Sequence, residues 1–153
     1  MMLSDLLSER LVSADLKADG KLAVLDELAH LISRAHEEID PAVVSRALLD
    51  RERIQSTAVG QDVAIPHAKT AVVDQIIACV GISRAGVDFD AEDGSLTRLF
   101  FTLLAPESSA GEHLKVLARI SRLCQKEEIR TRLLAAESAT SILEVIRQEE
   151  QRL

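Results

Sequence analysis

Two apolar runs rich in β-formers, Ile76 to Ile82 and Leu96 to Ala105, constrain this chain more than any other feature. The stretch from Gly86 to Gly94 joins them and ends on the turn signal Asp93-Gly94, so two antiparallel strands are expected. Around them the hydrophobic spacing is helical. From Lys21 to Ala35 the residues Val24, Leu25, Leu28, Leu31, Ile32 and Ala35 recur at that spacing. Asp40-Pro41, an N-cap acceptor followed by proline, announces a second helix running to about Glu52. Further helices are expected from about Ser109 to Cys124, Lys126 to Ala136, and Ala139 to about Glu150. Helices flanking both ends of a few central strands predict the α/β class, with a single mixed β-sheet flanked by helices.

No repeat, low-complexity stretch or linker divides the 153 residues, so residues 1–153 are expected to form a single domain. With 47% hydrophobic residues the chain can bury a core without disulfide or metal staples. Cys79 and Cys124 sit inside apolar stretches with no partner at ligand spacing, the pattern of buried thiols in a reducing compartment. Composition also excludes classes of partner. The 18 Lys and Arg against 25 Asp and Glu give a net charge of −7, and there is no Trp or Tyr. A nucleic-acid partner, which asks for a basic face or stacking platforms, is therefore not expected. No apolar run approaches the roughly 20 residues of a membrane span, and the first dozen residues lack a signal peptide's pattern, so the expected location is cytoplasmic.

Several catalytic signatures are absent: the Walker A loop, the Gly-x-Ser-x-Gly elbow, the dinucleotide fingerprint and His-Glu-x-x-His. The acidic run from Asp88 to Gly94 resembles a calcium loop, but its glycine falls one place late and Leu99 stands where the last ligand belongs, so it reads as a turn. His30 and His36 fall outside the apolar stripe of their helix and read as surface residues.

Polar residues in apolar settings remain. Arg51 continues the stripe of Val44, Ala47 and Leu48, which aims its guanidinium toward the protein, either snorkelling over apolar surface or clamping an anion. His113 follows Ser109-Ala110-Gly111-Glu112, a capping-box pattern, and aligns with Leu117, Ile120 and Cys124. It is expected to face inward at a helix N-terminus, where the dipole disfavours imidazolium and favours a bound anion. His67 follows Pro66, which stiffens the backbone beside it. A neutral imidazole there can attack phosphorus if cations and amides stabilise the transferring oxygens. Arg51, Lys69, Ser56, Thr57 and the backbone around Gly60 are candidates for that stabilisation.

The stretch from Arg51 to Gly60, with Val63-Ala64-Ile65-Pro66-His67-Ala68-Lys69, resembles the active-site block of the fructose/mannitol-type enzyme IIA domains of the bacterial phosphotransferase system. The resemblance continues through Val87 to Gly94, Leu103-Leu104-Ala105-Pro106, Glu112-His113-Leu114 and the ending Ser-Ala-Thr-Ser-Ile-Leu-Glu-Val-Ile, and is strongest toward the nitrogen-regulatory members. It implies a phosphocarrier with a phosphorylatable His67, charged by an HPr-type protein, with Arg51 and His113 matching the family's phosphate-stabilising residues. It also implies the family fold, a mixed sheet flanked by helices. No metal or cofactor is called for, because cations and amides already in place can stabilise a phosphoryl passing between imidazoles.

The docking face around His67 is expected to be apolar. Regulation of downstream proteins is the expected output, since neither a membrane segment nor a fused transporter domain is evident; a stand-alone sugar-specific enzyme IIA is the alternative. A docking regulator that is never phosphorylated is a second class of reading. A metal-dependent hydrolase using His67 and His113 is a third, disfavoured for want of a third ligand. The chain departs from the family at Gln55, Ala58 and Ala68, where glycines are common, and at Asp62, whose carboxylate either repels the phosphoryl group or faces solvent.

Overall fold

The computed structural model describes residues 1–152. A short helix α1 (Leu3–Leu6) and a 3₁₀ turn (Glu9–Leu11) lead into β1 (Val12–Ser13), followed by α2 (Lys21–Ala35) and α3 (Pro41–Ile54). Four more strands follow, β2 (Ala58–Gly60), β3 (Val63–Ala64), β4 (His67–Lys69) and β5 (Ile77–Val87), and then β6 (Thr97–Ala105), the last strand in chain order. Helices α4 (Ala110–Cys124), α5 (Glu127–Ala135) and α6 (Ala139–Arg152) complete the described chain.

Among the described residues the sheet has six strands in the order β1-β5-β6-β3-β2, with β4 also on β6. The expected hairpin is its spine: β5 and β6 are antiparallel, with Val80 opposite Phe101 and Ile77 opposite Leu104. Strand β5 runs five residues past Ile82, reaching Val87 through a register irregularity, and Leu96 stays outside β6 as an exposed residue. Parallel pairings of β1 with β5, and of β3 and β4 with β6, make the sheet mixed. Leu99, Phe100, Phe101, Leu103 and Leu104 are all fully buried, as strands covered by helices require.

Strands β3 and β4 lie end to end along β6, against Leu99–Phe100 and Leu103–Ala105 respectively. Ile65-Pro66 interrupts them, and proline has no N–H for the ladder. Pro66 instead accepts a hydrogen bond from Leu103 N at 3.0 Å, so the break is anchored. His67 begins the strand that follows.

Two local expectations are corrected. Ser109 is the N-cap of α4 but its side chain makes no capping hydrogen bond, with ψ at 36° instead of the extended value a capping box needs. The innermost position at the end of α3 belongs to Glu52 and not Arg51: Val44, Leu48 and Glu52, each four residues apart, are its buried residues. Helical periodicity alone places residues 51 and 52 only 100° apart, so the stripe's last member was ambiguous by one residue.

Candidate active site

Three elements converge on an open cavity of about 600 Å³ lined by Asp50, Arg51, His67, Lys69 and His113 together with apolar side chains; Asp50 is paired with Arg46 at 3.1 Å. The end of α3 supplies Arg51, the start of β4 supplies His67 and Lys69, and the first turns of α4 supply His113. Ile54 and Leu114, exposed by 80% and 66%, stand beside these polar groups. The expected apolar surround of His67 is therefore present, and exposed side chains of this size are the kind a protein partner covers.

The half-buried His67 ring is fixed from one side. Its Nδ1 lies 2.7 Å from the Ile65 carbonyl oxygen, so a proton on Nδ1 donates to that oxygen and the lone pair resides on Nε2. Nε2 has no hydrogen-bond partner among the described residues. Burial, aided by the Arg51 charge, holds His67 below its ordinary imidazole value, while the Ile65 bond and the Glu52 charge oppose that shift. The ring is thus neutral at physiological pH, with its free lone pair on Nε2.

His113 is 4% exposed and meets His67 edge to face, with ring centroids 5.5 Å apart and planes at 82°. Burial first, then the charges of His67 and Lys69, push its imidazole value down as well. Its buried Nε2 has no partner among the described residues. Such an orphan is uncommon in a fold. Arg51 is half-buried and donates from Nη1 to the Gln55 carbonyl at 2.9 Å, which holds the guanidinium at the cavity.

The weaker candidates divide. Lys69 lines the cavity with the three principal residues. The Ser56 hydroxyl donates to Phe89 O at 2.8 Å, and the Thr57 hydroxyl donates to Glu52 at 2.5 Å, so both are committed elsewhere. Gly60 lines a separate depression with Val59 and Asp93. His30 is exposed, and His36 sits beside Glu38 away from the cavity. The acidic run turns between Ala91 and Gly94, with Asp90 paired to Lys21. No three His, Cys, Asp or Glu side chains among the described residues are grouped as metal ligands.

The departures from the family pattern also find their places. Gln55, Ala58 and Ala68 all avoid the left-handed region, so no glycine is needed at them. Left-handed backbone falls instead on Gly60, Gln61 and Asp62, which turn the chain between β2 and β3. Asp62 Oδ1 accepts from Arg98 at 2.6 Å, which takes its charge off the cavity.

The family model of the phosphoenolpyruvate-dependent sugar phosphotransferase system, EIIA 2, matches residues 5–149. The chain belongs to this family. Within the EIIA 2 family, a nitrogen regulatory protein of Bradyrhizobium diazoefficiens is 36% identical over 146 residues, 95% of each chain. The fructose-specific EIIABC component of Bacillus subtilis is also 36% identical, over 98% of this chain, which spans only 24% of that protein's length. The crystal structure of nitrogen regulatory protein IIA-Ntr from Neisseria meningitidis matches with a TM-score of 0.88 at 33% identity, covering 94% of this chain and 98% of that one. IIA mannitol from Escherichia coli, at 22% identity and a TM-score of 0.78 over 92% and 98% of the two chains, shares the fold. The single mixed sheet flanked by helices is the architecture of these EIIA structures. Among the described residues no helix is long and apolar enough to cross a membrane.

Proposed function

We propose that this EIIA domain is a phosphocarrier that accepts a phosphoryl group on Nε2 of His67 from a phosphohistidine of an HPr-type protein. The observation that carries the reading is the hydrogen bond from His67 Nδ1 to the Ile65 carbonyl, which leaves Nε2 as the nucleophilic nitrogen. As the Nε2 lone pair forms the new N–P bond, the donor's N–P bond breaks and its electron pair returns to the donor imidazole. The proton stays on Nδ1, and the Ile65 carbonyl stabilises the positive character that develops on the ring. Arg51 and Lys69 supply positive charge toward the phosphoryl oxygens, and His113 offers a ring N–H.

Regulation is the output we favour over sugar transport. It is supported by likeness to nitrogen regulatory proteins from Bradyrhizobium diazoefficiens and Pseudomonas aeruginosa, at 36% and 35% identity. Downstream partners are then regulatory proteins that distinguish the two states of His67. The test is incubation with phosphoenolpyruvate, the general phosphotransferase enzyme and an HPr-type carrier, followed by intact mass. An acid-labile phosphoryl adduct absent from His67→Ala supports the reading. No adduct, with a control enzyme IIA phosphorylated in the same mixture, sinks it in favour of a docking regulator.

A further inference from the structure

Glu52 lies behind the cavity and not in it, yet it is 4% exposed and carries a carboxylate. A carboxylate is buried at a cost unless it is paired and fully hydrogen-bonded. Three donors meet this one. Thr57 N donates to Oε2 at 2.7 Å, the Thr57 hydroxyl donates to Oε1 at 2.5 Å, and Lys21 Nζ stands 3.1 Å from Oε2. Lys21 is itself held, 2.9 Å from Asp90 and over the Phe89 ring at 4.8 Å.

Thr57 passes this constraint to the nucleophile. Its carbonyl accepts from Ile65 N at 3.0 Å, and the Ile65 carbonyl accepts from His67 Nδ1 at 2.7 Å. Pro66 limits backbone rotation between Ile65 and His67. On either side of Thr57 the Ser56 hydroxyl donates to Phe89 O and accepts from Ala58 N, so the loop is held twice. A continuous path of hydrogen bonds therefore runs from the buried Glu52 carboxylate to the one nitrogen that fixes the tautomer of His67.

We propose that Glu52 is a positioning residue, holding the His67 ring in its attacking orientation and Nδ1–H tautomer through Thr57 and Ile65. The claim rests on the phosphocarrier reading for its rate effect, though not for its effect on the ring. No proton moves along the path; the backbone groups hold position only. Displacements near 1 Å at a reacting group can cost about a hundredfold in rate, so a small shift of the 55–58 loop is enough to matter.

The experiment uses the full chain as wild type, Glu52→Gln and Glu52→Asp. Glutamine has only one acceptor oxygen, and aspartate reaches one methylene less far. Long-range proton–nitrogen correlation reads the His67 tautomer, and the initial rate of phosphoryl uptake is followed against HPr-type carrier concentration. Both variants are expected to keep a folded spectrum, show a mixture of His67 tautomers, and lose about tenfold or more in limiting rate. The half-saturating carrier concentration stays within about twofold, because the apolar rim is unchanged. An unchanged His67 spectrum and limiting rate in both variants would overturn the proposal, as would loss of the folded spectrum in both, which assigns Glu52 to holding the fold. If wild type takes up no phosphoryl group, the phosphocarrier reading fails, and the tautomer spectra alone decide the positioning claim.

Discussion

The rings of His67 and His113 meet edge to face at 5.5 Å, and both are held below their ordinary imidazole values with burial as the leading cause. In the phosphocarrier proposed above, two neutral rings in contact would divide the work: one nitrogen attacks and the other ring offers an N–H to the transferred group. His113→Ala should slow phosphoryl uptake roughly 10²–10³-fold, the usual cost of losing one preorganised donor. The adduct on His67 should still form given time. Time courses by intact mass distinguish this from a variant as fast as wild type, which would leave His113 a packing residue.

The same shifts set a pH dependence of stability. An unfolded histidine titrates near 6.5, and in the fold both rings titrate lower. Between those values the unfolded chain binds more protons, so stability rises with pH across the window. The contribution is complete above about pH 6.5 and is lost as pH falls through the lower folded values. Melting temperatures taken from about pH 7.5 down to about pH 5 should fall, and His113→Asn should flatten the decline. An equal decline in the variant would remove His113 as a source.

Asp62 illustrates a charge whose consequence only the structure decides. From sequence its carboxylate faced either the phosphoryl group or solvent; the ion pair with Arg98 turns it aside. Asp62→Asn should keep the left-handed backbone, which asparagine tolerates, and leave phosphoryl uptake within about twofold of wild type. An increase of about tenfold would mean that the carboxylate acts on the cavity through space.

Gly81 is a steric prediction about the fold alone. A Cβ built there would come within 2.7 Å of Leu16 Cδ1 and 2.9 Å of its Cγ, where β5 passes the segment after β1. Leu16 is buried and cannot retreat into solvent. Gly81→Ala should destabilise by about 1–3 kcal/mol, as overpacked cores do, measured by denaturant midpoint at constant slope. An unchanged midpoint would show that Leu16 can repack.

Much of this was legible in the sequence because helices α2 and α3 and the β5–β6 hairpin carry strong periodicity, punctuated by Asp40-Pro41 and Asp93-Gly94. His67, Arg51 and His113 stood out as polar residues in apolar surroundings, and the structure brings them to one cavity. Ser56 and Thr57 stand as candidates for phosphate stabilisation in the sequence because hydroxyls beside an active loop look alike until their partners, Phe89 O and Glu52, are known. Glu52 escaped notice although it continues the Val44 and Leu48 stripe, since its neighbour Arg51 fits nearly the same face. The parallel pairing of β3 and β4 with β6 depends on contacts between residues far apart in sequence, which local patterns do not encode.

The central claim is attack by one particular nitrogen, so the most direct measurement is nitrogen-15 NMR of the protein after incubation with the phosphoenolpyruvate-driven donor mixture. The account predicts phosphorus on Nε2 of His67, with Nδ1 still protonated toward the Ile65 carbonyl. Phosphorus on Nδ1, on another residue, or nowhere while a control enzyme IIA is charged would contradict it.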